Sequence, residues 1–110
     1  MKRMSNLKKL VESLKEKYFM MTNAASDDSD GSMIKYWEEQ TGIDLNGITY
    51  TCPHCHKPMK REQLDGSHVV KYGRSNGPQY ITPLCQEFNR SRDKKTWFFV
   101  PKQLVVPAPK

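Results

Sequence analysis

The sequence predicts an α+β domain in which N-terminal helices pack on a small zinc-knuckle unit built from short strands. Two segments, residues 4–20 and 33–40, repeat apolar residues at the three- and four-residue spacing of amphipathic helices. From Ile48 onward the pattern changes to short apolar runs separated by Gly, Pro and Asn, which is typical of strands and turns. Two residues separate Cys52 from Cys55, a spacing that can offer both sulfurs to one tetrahedral metal. We therefore expect a metal-centred unit in the C-terminal half.

The net positive charge of the chain comes from that same C-terminal half. The chain has 110 residues, 36% of them hydrophobic, and a net charge of +6, so we expect one domain with a small core that a metal would help to stabilise. The N-terminal helical segment, residues 1–48, has seven basic and eight acidic residues, whereas residues 49–110 have eleven and four. Such a basic half attracts the phosphate backbone of nucleic acids, although the charge would also serve solubility alone.

Cysteine number and hydropathy indicate the cellular setting. Three cysteines cannot form a complete disulfide framework, so reduced thiols in the cytoplasm are expected. Residues 1–18 carry no continuous apolar run of the kind found in signal peptides. No stretch approaches the roughly 20 apolar residues of a membrane span. We expect a cytoplasmic protein without a membrane partner.

The first predicted helix, residues 4–20, is amphipathic. Lysines and glutamates occupy the side opposite its apolar stripe. This stripe is expected to contact the core or a dimer partner rather than a membrane. It consists of Leu7, Leu10, Val11, Leu14 and Tyr18.

An acidic loop and a second, shorter helix follow. Residues 22–32 are polar and rich in aspartate, which predicts a flexible loop. The loop lacks the glycine and the distal glutamate of an EF-hand, so it is not expected to bind calcium. We expect Ser32 to cap the second helix, which buries Ile34 and Trp37 and ends near Gly42.

The zinc-knuckle domain is predicted to span residues 49–100, with an extended, proline-containing tail at residues 101–110. Strands are expected where apolar and β-branched residues cluster between turn residues. The predicted strands are residues 48–50, a return strand flanked by Met59 and Leu64, and residues 67–70, 80–84 and 97–100; the predicted helix is residues 85–92.

Three thiolates and one undecided ligand are predicted to hold a structural Zn²⁺ ion. Cys85, thirty positions after Cys55 at the start of a predicted helix, adds a third sulfur to the pair. A second pair would be completed at Phe88, which instead can fill the space by packing, in which case the cysteines are buried or free thiols. The candidates for the fourth ligand are His54, His56, His68 and a water molecule. His56 is the first choice because it lies just past the turn and can fold back.

These residues resemble a known family over residues 49–100. The order is a CxxC pair, a basic segment, a histidine on a strand, a glycine-containing loop and the sequence ITPLCQEFN. This order resembles the HNH, or ββα-metal, endonucleases, in particular those built on a zinc-bound treble clef. The resemblance implies a treble-clef unit and cleavage of phosphodiester bonds with Mg²⁺ or Mn²⁺.

The same resemblance implies roles for individual residues. His68 would be the general base that deprotonates the attacking water, and Asn89 would bind the divalent cation. An aspartate commonly precedes the histidine, but here that residue is Ser67, a weak ligand, with Asp65 two positions earlier as the substitute. Ser67 and Phe88 depart from the family pattern, and the neutral Ser67 should lower the affinity for a divalent cation, and catalysis with it, if Asp65 cannot reach that cation.

Basic residues surround the predicted metal centre and are expected to contact successive phosphates, of DNA rather than RNA. Tyr72, Tyr80 and Trp97 interleave with them and are candidates to stack on bases, although strand aromatics more often belong to the core. The basic residues are Lys57, Lys60, Arg61, Lys71, Arg74, Arg90, Arg92, Lys94 and Lys95.

Three functions stay open from the sequence. The first is a nucleic-acid-binding domain that acts as a metal-dependent endonuclease, favoured by His68 and Asn89. The second is an inactive zinc-knuckle module that binds nucleic acid or a protein partner, favoured by Ser67 and Phe88. The third is a partner-binding protein whose functional surface is the acidic loop with the N-terminal helix.

Overall fold

A computed structural model describes residues 9, 15–24 and 26–109 of the chain. These residues form a mixed α+β fold with a five-stranded antiparallel sheet and a two-stranded hairpin, which confirms the predicted α+β class. In this part of the chain, no helix combines the length and the apolar character needed to cross a membrane. The strands are β1 (Tyr18–Asn23), β2 (Tyr50–Thr51), β3 (Pro58–Met59), β4 (Leu64–Lys71), β5 (Tyr80–Cys85), β6 (Trp97–Pro101) and β7 (Val106–Pro107); the helices are α1 (Ser32–Thr41) and α2 (Gln86–Arg90), with 3-10 turns at Arg61–Gln63 and Lys102–Leu104.

The main sheet has five strands in the order β6-β1-β4-β5-β7. Strands β4 and β5 form its centre, in a register that pairs Leu64 with Cys85 and Val69 with Tyr80. Strand β1 lies between β4 and β6, and the short β7 pairs with β5 at the opposite edge. Strands β2 and β3 form a separate hairpin. The predicted segments 1–48, 49–100 and 101–110 therefore all contribute strands to one sheet.

The first predicted helix ends earlier than expected. Residues 9 and 15–17 are helical, but Tyr18–Asn23 form strand β1, so the prediction of helix through Met20 was wrong. Residues 4–8 and 10–14 of that prediction lie outside the described residues. The segment YFMMTN is rich in aromatic and β-compatible residues, and it gains partners on both sides, β4 and β6. Pairing with two neighbours outweighs the helical spacing of its apolar residues.

The acidic loop is shorter and more ordered than predicted. Thr22 and Asn23 belong to β1, and Asp28 is buried. Gly31, rather than the expected Ser32, is the N-cap residue of α1, and the Asp28 carboxylate accepts the first free N–H groups of the helix. The predicted end of the helix is confirmed, since Gly42 adopts a left-handed conformation (φ 75°) and its N–H donates to the carbonyl of Glu38.

The sheet separates two apolar clusters. On one face, Ile34 and Trp37 of α1 are buried, as predicted, against Leu64 and Ile81 of the sheet. Val106 of β7 belongs to the same cluster, so the C-terminal tail is part of the core instead of the separate extended segment predicted. The opposite face is covered by the β2–β3 hairpin, α2 and the residues before β7. Its cluster contains Met21, Cys52, Val69, Leu84, Cys85, Phe88, Phe98 and Val100.

Candidate metal centre

The hairpin formed by β2 and β3 presents the first two thiols. The backbone N–H of Cys52 donates to the carbonyl of Lys57 (3.1 Å), and the N–H of His56 donates to the carbonyl of Cys52 (2.8 Å). His56 takes a left-handed backbone conformation, φ 60°, which closes the turn. These bonds fold the CPHC sequence back on itself, so both sulfurs of the pair point toward the sheet side of the hairpin, where Cys52 is buried.

The third thiol comes from the end of a central strand. Cys85 is the last residue of β5, and its N–H donates to the Cys52 sulfur at 3.3 Å. The three sulfurs of Cys52, Cys55 and Cys85 all lie within 4.8 Å of one another. In a tetrahedral zinc site with Zn–S bonds of about 2.3 Å, sulfurs are about 3.8 Å apart, so a small contraction would suffice. The prediction that these cysteines come together to form a group able to hold a metal such as zinc is confirmed.

The surroundings of the thiols affect their protonation differently. Burial raises the pKa of the Cys85 thiol to about 12. At Cys55 burial also acts to raise the pKa, but hydrogen bonds from the Lys57 backbone and with the other two thiols outweigh it and lower the pKa. Three thiols this close repel one another as thiolates, and a dication between them would remove that repulsion.

A cleft lies beside the thiols, and the residues that line it are the nearest candidates for a fourth metal ligand. It has a volume of about 280 Å³ and is lined by His54, Cys55, Cys85, Glu87 and Phe88, among others. Within the described chain, the group of mutually close ligand atoms contains no histidine nitrogen and no carboxylate oxygen. Because Cys55 and Cys85 line this cleft, a water molecule or a side chain of its wall could enter from there to complete a tetrahedron.

The histidines differ in how they relate to the cleft. His54 stacks on Phe88, with ring centroids 3.6 Å apart and planes 7° apart, and its buried Nδ1 has no hydrogen-bond partner. Burial lowers the pKa of His54, so its ring is neutral and has a lone pair to offer at pH 7. His56, the first choice from the sequence, is exposed on the turn and does not line the cleft. Phe88 is buried by packing against His54 and Phe98, as the alternative prediction required.

Asp65, the expected substitute for a cation ligand, already has a cationic partner. Its buried carboxylate accepts two hydrogen bonds from the Arg90 guanidinium, each 3.1 Å long, and one from the Asn89 amide at 2.9 Å. This arrangement satisfies both carboxylate oxygens. Asp65 and Asn89 are thus brought together, but in an ion-paired network that links β4 to α2.

His68 lies on the other side of the sheet from that network. Side chains alternate along β4, so Asp65 and Ser67 face α2 while Gly66 and His68 face the α1 side. The backbone N–H of His68 donates to the hydroxyl of Ser26 at 3.1 Å. Burial lowers the pKa of His68, and the charge of Asp28 opposes this shift. His68 Nδ1 and Asn89 Oδ1 are both buried without a hydrogen-bond partner.

Three of the nine predicted phosphate-binding residues have partners within the protein. Arg61 forms an ion pair with Glu38 (2.8 Å), and Arg90 pairs with Asp65. The ammonium group of Lys71 lies 4.7 Å from the centre of the Phe19 ring. The remaining six are exposed: Lys57, Lys60, Arg74, Arg92, Lys94 and Lys95.

Comparison with protein-family models, with curated proteins and with solved structures finds no match for this chain.

Proposed function

We propose that this chain is a nucleic-acid-binding domain whose fold is stabilised by one zinc ion held by Cys52, Cys55 and Cys85. The observation that carries the proposal is the convergence of three thiols within 4.8 Å from two distant parts of the sequence. Thiolates favour zinc over the hard cations Mg²⁺ and Ca²⁺. The resemblance to HNH-like, treble-clef domains supports the same assignment, because such a zinc ion joins a hairpin to the start of a helix.

A structural role for zinc follows from the short length of the hairpin that carries Cys52 and Cys55. Strands β2 and β3 have two residues each, and a hairpin of this size is not stable by itself in water. A zinc ion would join its turn to the end of β5. Binding energy released there would add directly to the folding free energy.

The zinc assignment is tested by metal content and thermal melting. We expect one zinc per chain and a markedly lower melting temperature in EDTA, whereas Cys52→Ser should lose both the zinc and the sensitivity to EDTA. Thr51→Ser, an exposed change in the same hairpin, is the matched control and should retain both. A protein purified without metal, whose melting curve does not change on adding zinc or EDTA, would contradict the assignment.

Nucleic-acid binding is supported by the charge of residues 49–110 and by the six exposed basic residues named above. Lysines that contact phosphates release counterions, so affinity should fall steeply with salt. We expect the Lys94→Ala, Lys95→Ala double variant to lower the slope of log K against log salt by about 2, since each phosphate contact contributes about 0.9. Lys35→Ala, an exposed lysine of α1, should leave the slope unchanged. Fluorescence anisotropy with labelled DNA measures the affinity of each variant as a function of salt. An affinity that does not depend on salt would contradict this part of the proposal.

A second candidate function is metal-dependent cleavage of phosphodiester bonds. It is favoured by His68, whose unpartnered Nδ1 and lowered pKa leave a neutral ring that can accept a proton at pH 7. The pairing of Asp65 with Arg90 weighs against it, because a divalent cation would have to compete with the guanidinium.

Nicking of supercoiled plasmid with Mg²⁺, Mn²⁺ or EDTA separates the two candidates. Cleavage by an endonuclease should vanish in His68→Ala and should decline only below the ordinary histidine pKa of about 6.5, because the folded-state pKa is lowered. If the folded protein binds DNA but cleaves it with neither Mg²⁺ nor Mn²⁺, the endonuclease candidate is rejected and the binding module without catalysis is retained.

A further inference from the structure

Exposed aromatic side chains are concentrated on one part of the sheet. Among the described residues, five large hydrophobic side chains remain exposed, and four of them are aromatic. These four, called the aromatic face below, are Tyr18 (37% exposed), Tyr72 (55%), Trp97 (49%) and Phe99 (47%). The fifth, Ile48, lies in the loop before β2.

The strand register places the four rings on the same side of the sheet. Phe99 pairs with Met20, and the N–H of Tyr72 donates to the carbonyl of Met20 at 2.9 Å, so these three residues form one row across β6, β1 and the end of β4. Trp97 and Tyr18 are each two residues from this row and therefore share its face. Strands lie about 4.8 Å apart and alternate residues along a strand about 6.8 Å apart, so the four residues lie on neighbouring or next-neighbouring positions of this face.

The other half of the same side of the sheet is covered. Helix α1 packs over β4 and β5, where Ile34 and Trp37 bury Leu64 and Ile81. The aromatic face lies beyond that helix, toward edge strand β6. Trp97 and Phe99 contact each other edge to face, with ring centroids 5.7 Å apart, so they hold a defined arrangement even at the surface.

Cations from three separate elements border the aromatic face. Lys17 precedes Tyr18, Arg74 follows Tyr72 by two residues, and Lys94 and Lys95 precede Trp97; all four are exposed. The nearest acidic group in the turn before β6, Asp93, has its carboxylate occupied by the N–H groups of Lys95 and Thr96 and by the Thr96 hydroxyl. Glu16 is the other acidic residue among these flanking positions.

We propose that the aromatic face binds single-stranded nucleic acid, stacking bases on Trp97, Phe99 and Tyr72 while the bordering cations contact phosphates. This inference rests on the proposed function and narrows it to single strands. Unpaired bases present their ring faces to aromatic side chains, whereas duplex bases are already stacked. The combination of rings and bordering cations matches the alternation of bases and phosphates along a single strand.

The first test compares a labelled oligothymidine of about 12 nucleotides with a duplex of the same length, a size within the range that single-strand-binding surfaces cover. We expect the single strand to bind more tightly. Trp97→Ala and Tyr72→Ala should each weaken it about 5- to 150-fold, as expected for the loss of one base–aromatic stack. Trp97→Phe and Ile48→Ala are the matched controls, one keeping a ring and the other removing an equally exposed apolar side chain, and both should stay within about 2-fold.

The readouts separate this inference from the proposed function. Trp97→Ala removes no charge, so the salt dependence of the remaining binding should be unchanged. Equal binding of single strand and duplex, with no effect of Trp97→Ala, would overturn the inference and leave the proposed function standing. Absence of any salt-dependent binding would overturn both. A dimer in sedimentation that Trp97→Ala dissociates would also overturn the inference, because the aromatic face would then bind a second copy.

Discussion

The carboxylate of Asp28 joins two parts of the chain that lie far apart in sequence. It accepts the N–H groups of Met33 (2.7 Å) and Ile34 (3.1 Å) at the start of α1, and that of Gly66 (2.7 Å) in β4. Its negative charge also lies at the positive end of the helix dipole. Next to it along β4, the Ser26 hydroxyl accepts the N–H of His68. Side chains of the acidic loop therefore continue the edge of β4 where β1 has ended.

Asp28→Asn should destabilise the fold. An amide keeps only one oxygen, so one of the three backbone N–H groups would face another donor while buried. We expect a loss of about 1–3 kcal/mol in the free energy of unfolding, the usual cost of an unsatisfied buried polar group. Urea denaturation measures it. Asp27→Asn is the control, since Asp27 is exposed and its hydrogen bonds, from the N–H and hydroxyl of Ser29, are local; equal effects of the two substitutions would contradict this role.

At the residue scale, helical spacing and the cysteine pattern predicted well, whereas other distant contacts were missed. The burial of Ile34 and Trp37 follows from helical spacing, and the cysteine group follows from the CxxC pair together with Cys85, thirty positions later at the start of a predicted helix. Asp28 was expected in a flexible loop because the residues around it give no sign that its carboxylate binds the N–H of Gly66, 38 positions away. Asp65 was considered as a cation ligand because its pairing with Arg90 depends on how α2 packs on β4.

At the scale of elements, β1 and α1 depend on contacts that their own sequences do not show. The apolar residues of β1 fit a helical pattern as well as a strand, and pairing with β4 and β6 decides between the two. Helix α1 approaches β4 so closely that a Cβ atom on Gly66 would lie 2.4 Å from the Ile34 nitrogen. Only glycine permits that approach, so the position of α1 on the sheet depends on this residue.

Gly66→Ala should therefore separate α1 from the sheet or strain both. Because the contacted atoms are backbone, they cannot move aside as a flexible side chain would, and we expect at least about 1–3 kcal/mol of destabilisation. Guanidinium denaturation is the measurement. Gly77→Ala makes the same chemical change in the loop before β5, where the nearest backbone atom is 3.1 Å away, and should cost clearly less.

At the scale of the whole molecule, the C-terminal tail closes both the sheet and the core. Strand β7 pairs with Tyr80 and Ile81 of β5. Just before it, the carbonyl of Leu104 accepts hydrogen bonds from the Trp37 indole (2.9 Å) and the Thr82 hydroxyl (2.8 Å). The prolines of this tail predicted an extended conformation, but they could not reveal that it reaches back to α1 and β5.

Removal of residues 102–110 should accordingly unfold the domain or lower its melting temperature strongly. The truncation would expose the side of β5 that β7 covers and leave the Trp37 indole N–H and the Thr82 hydroxyl without their acceptor. Circular dichroism melting checks the expectation. A truncation of residues 109–110 alone is the control and should melt close to the full chain; a stable protein lacking 102–110 would show that the tail is dispensable.

The strand order also determines when the protein can finish folding during its synthesis. The ribosome makes β1 first among the strands of the main sheet, yet β1 occupies an interior place whose outer neighbour, β6, is among the last made. At roughly 5–20 residues per second, β1 waits roughly 4 to 15 seconds for that neighbour. During this interval an apolar strand has an open edge in a crowded cell. We therefore expect the outer edge of β1 to stay unpaired until Trp97–Pro101 has been made and can fold against it.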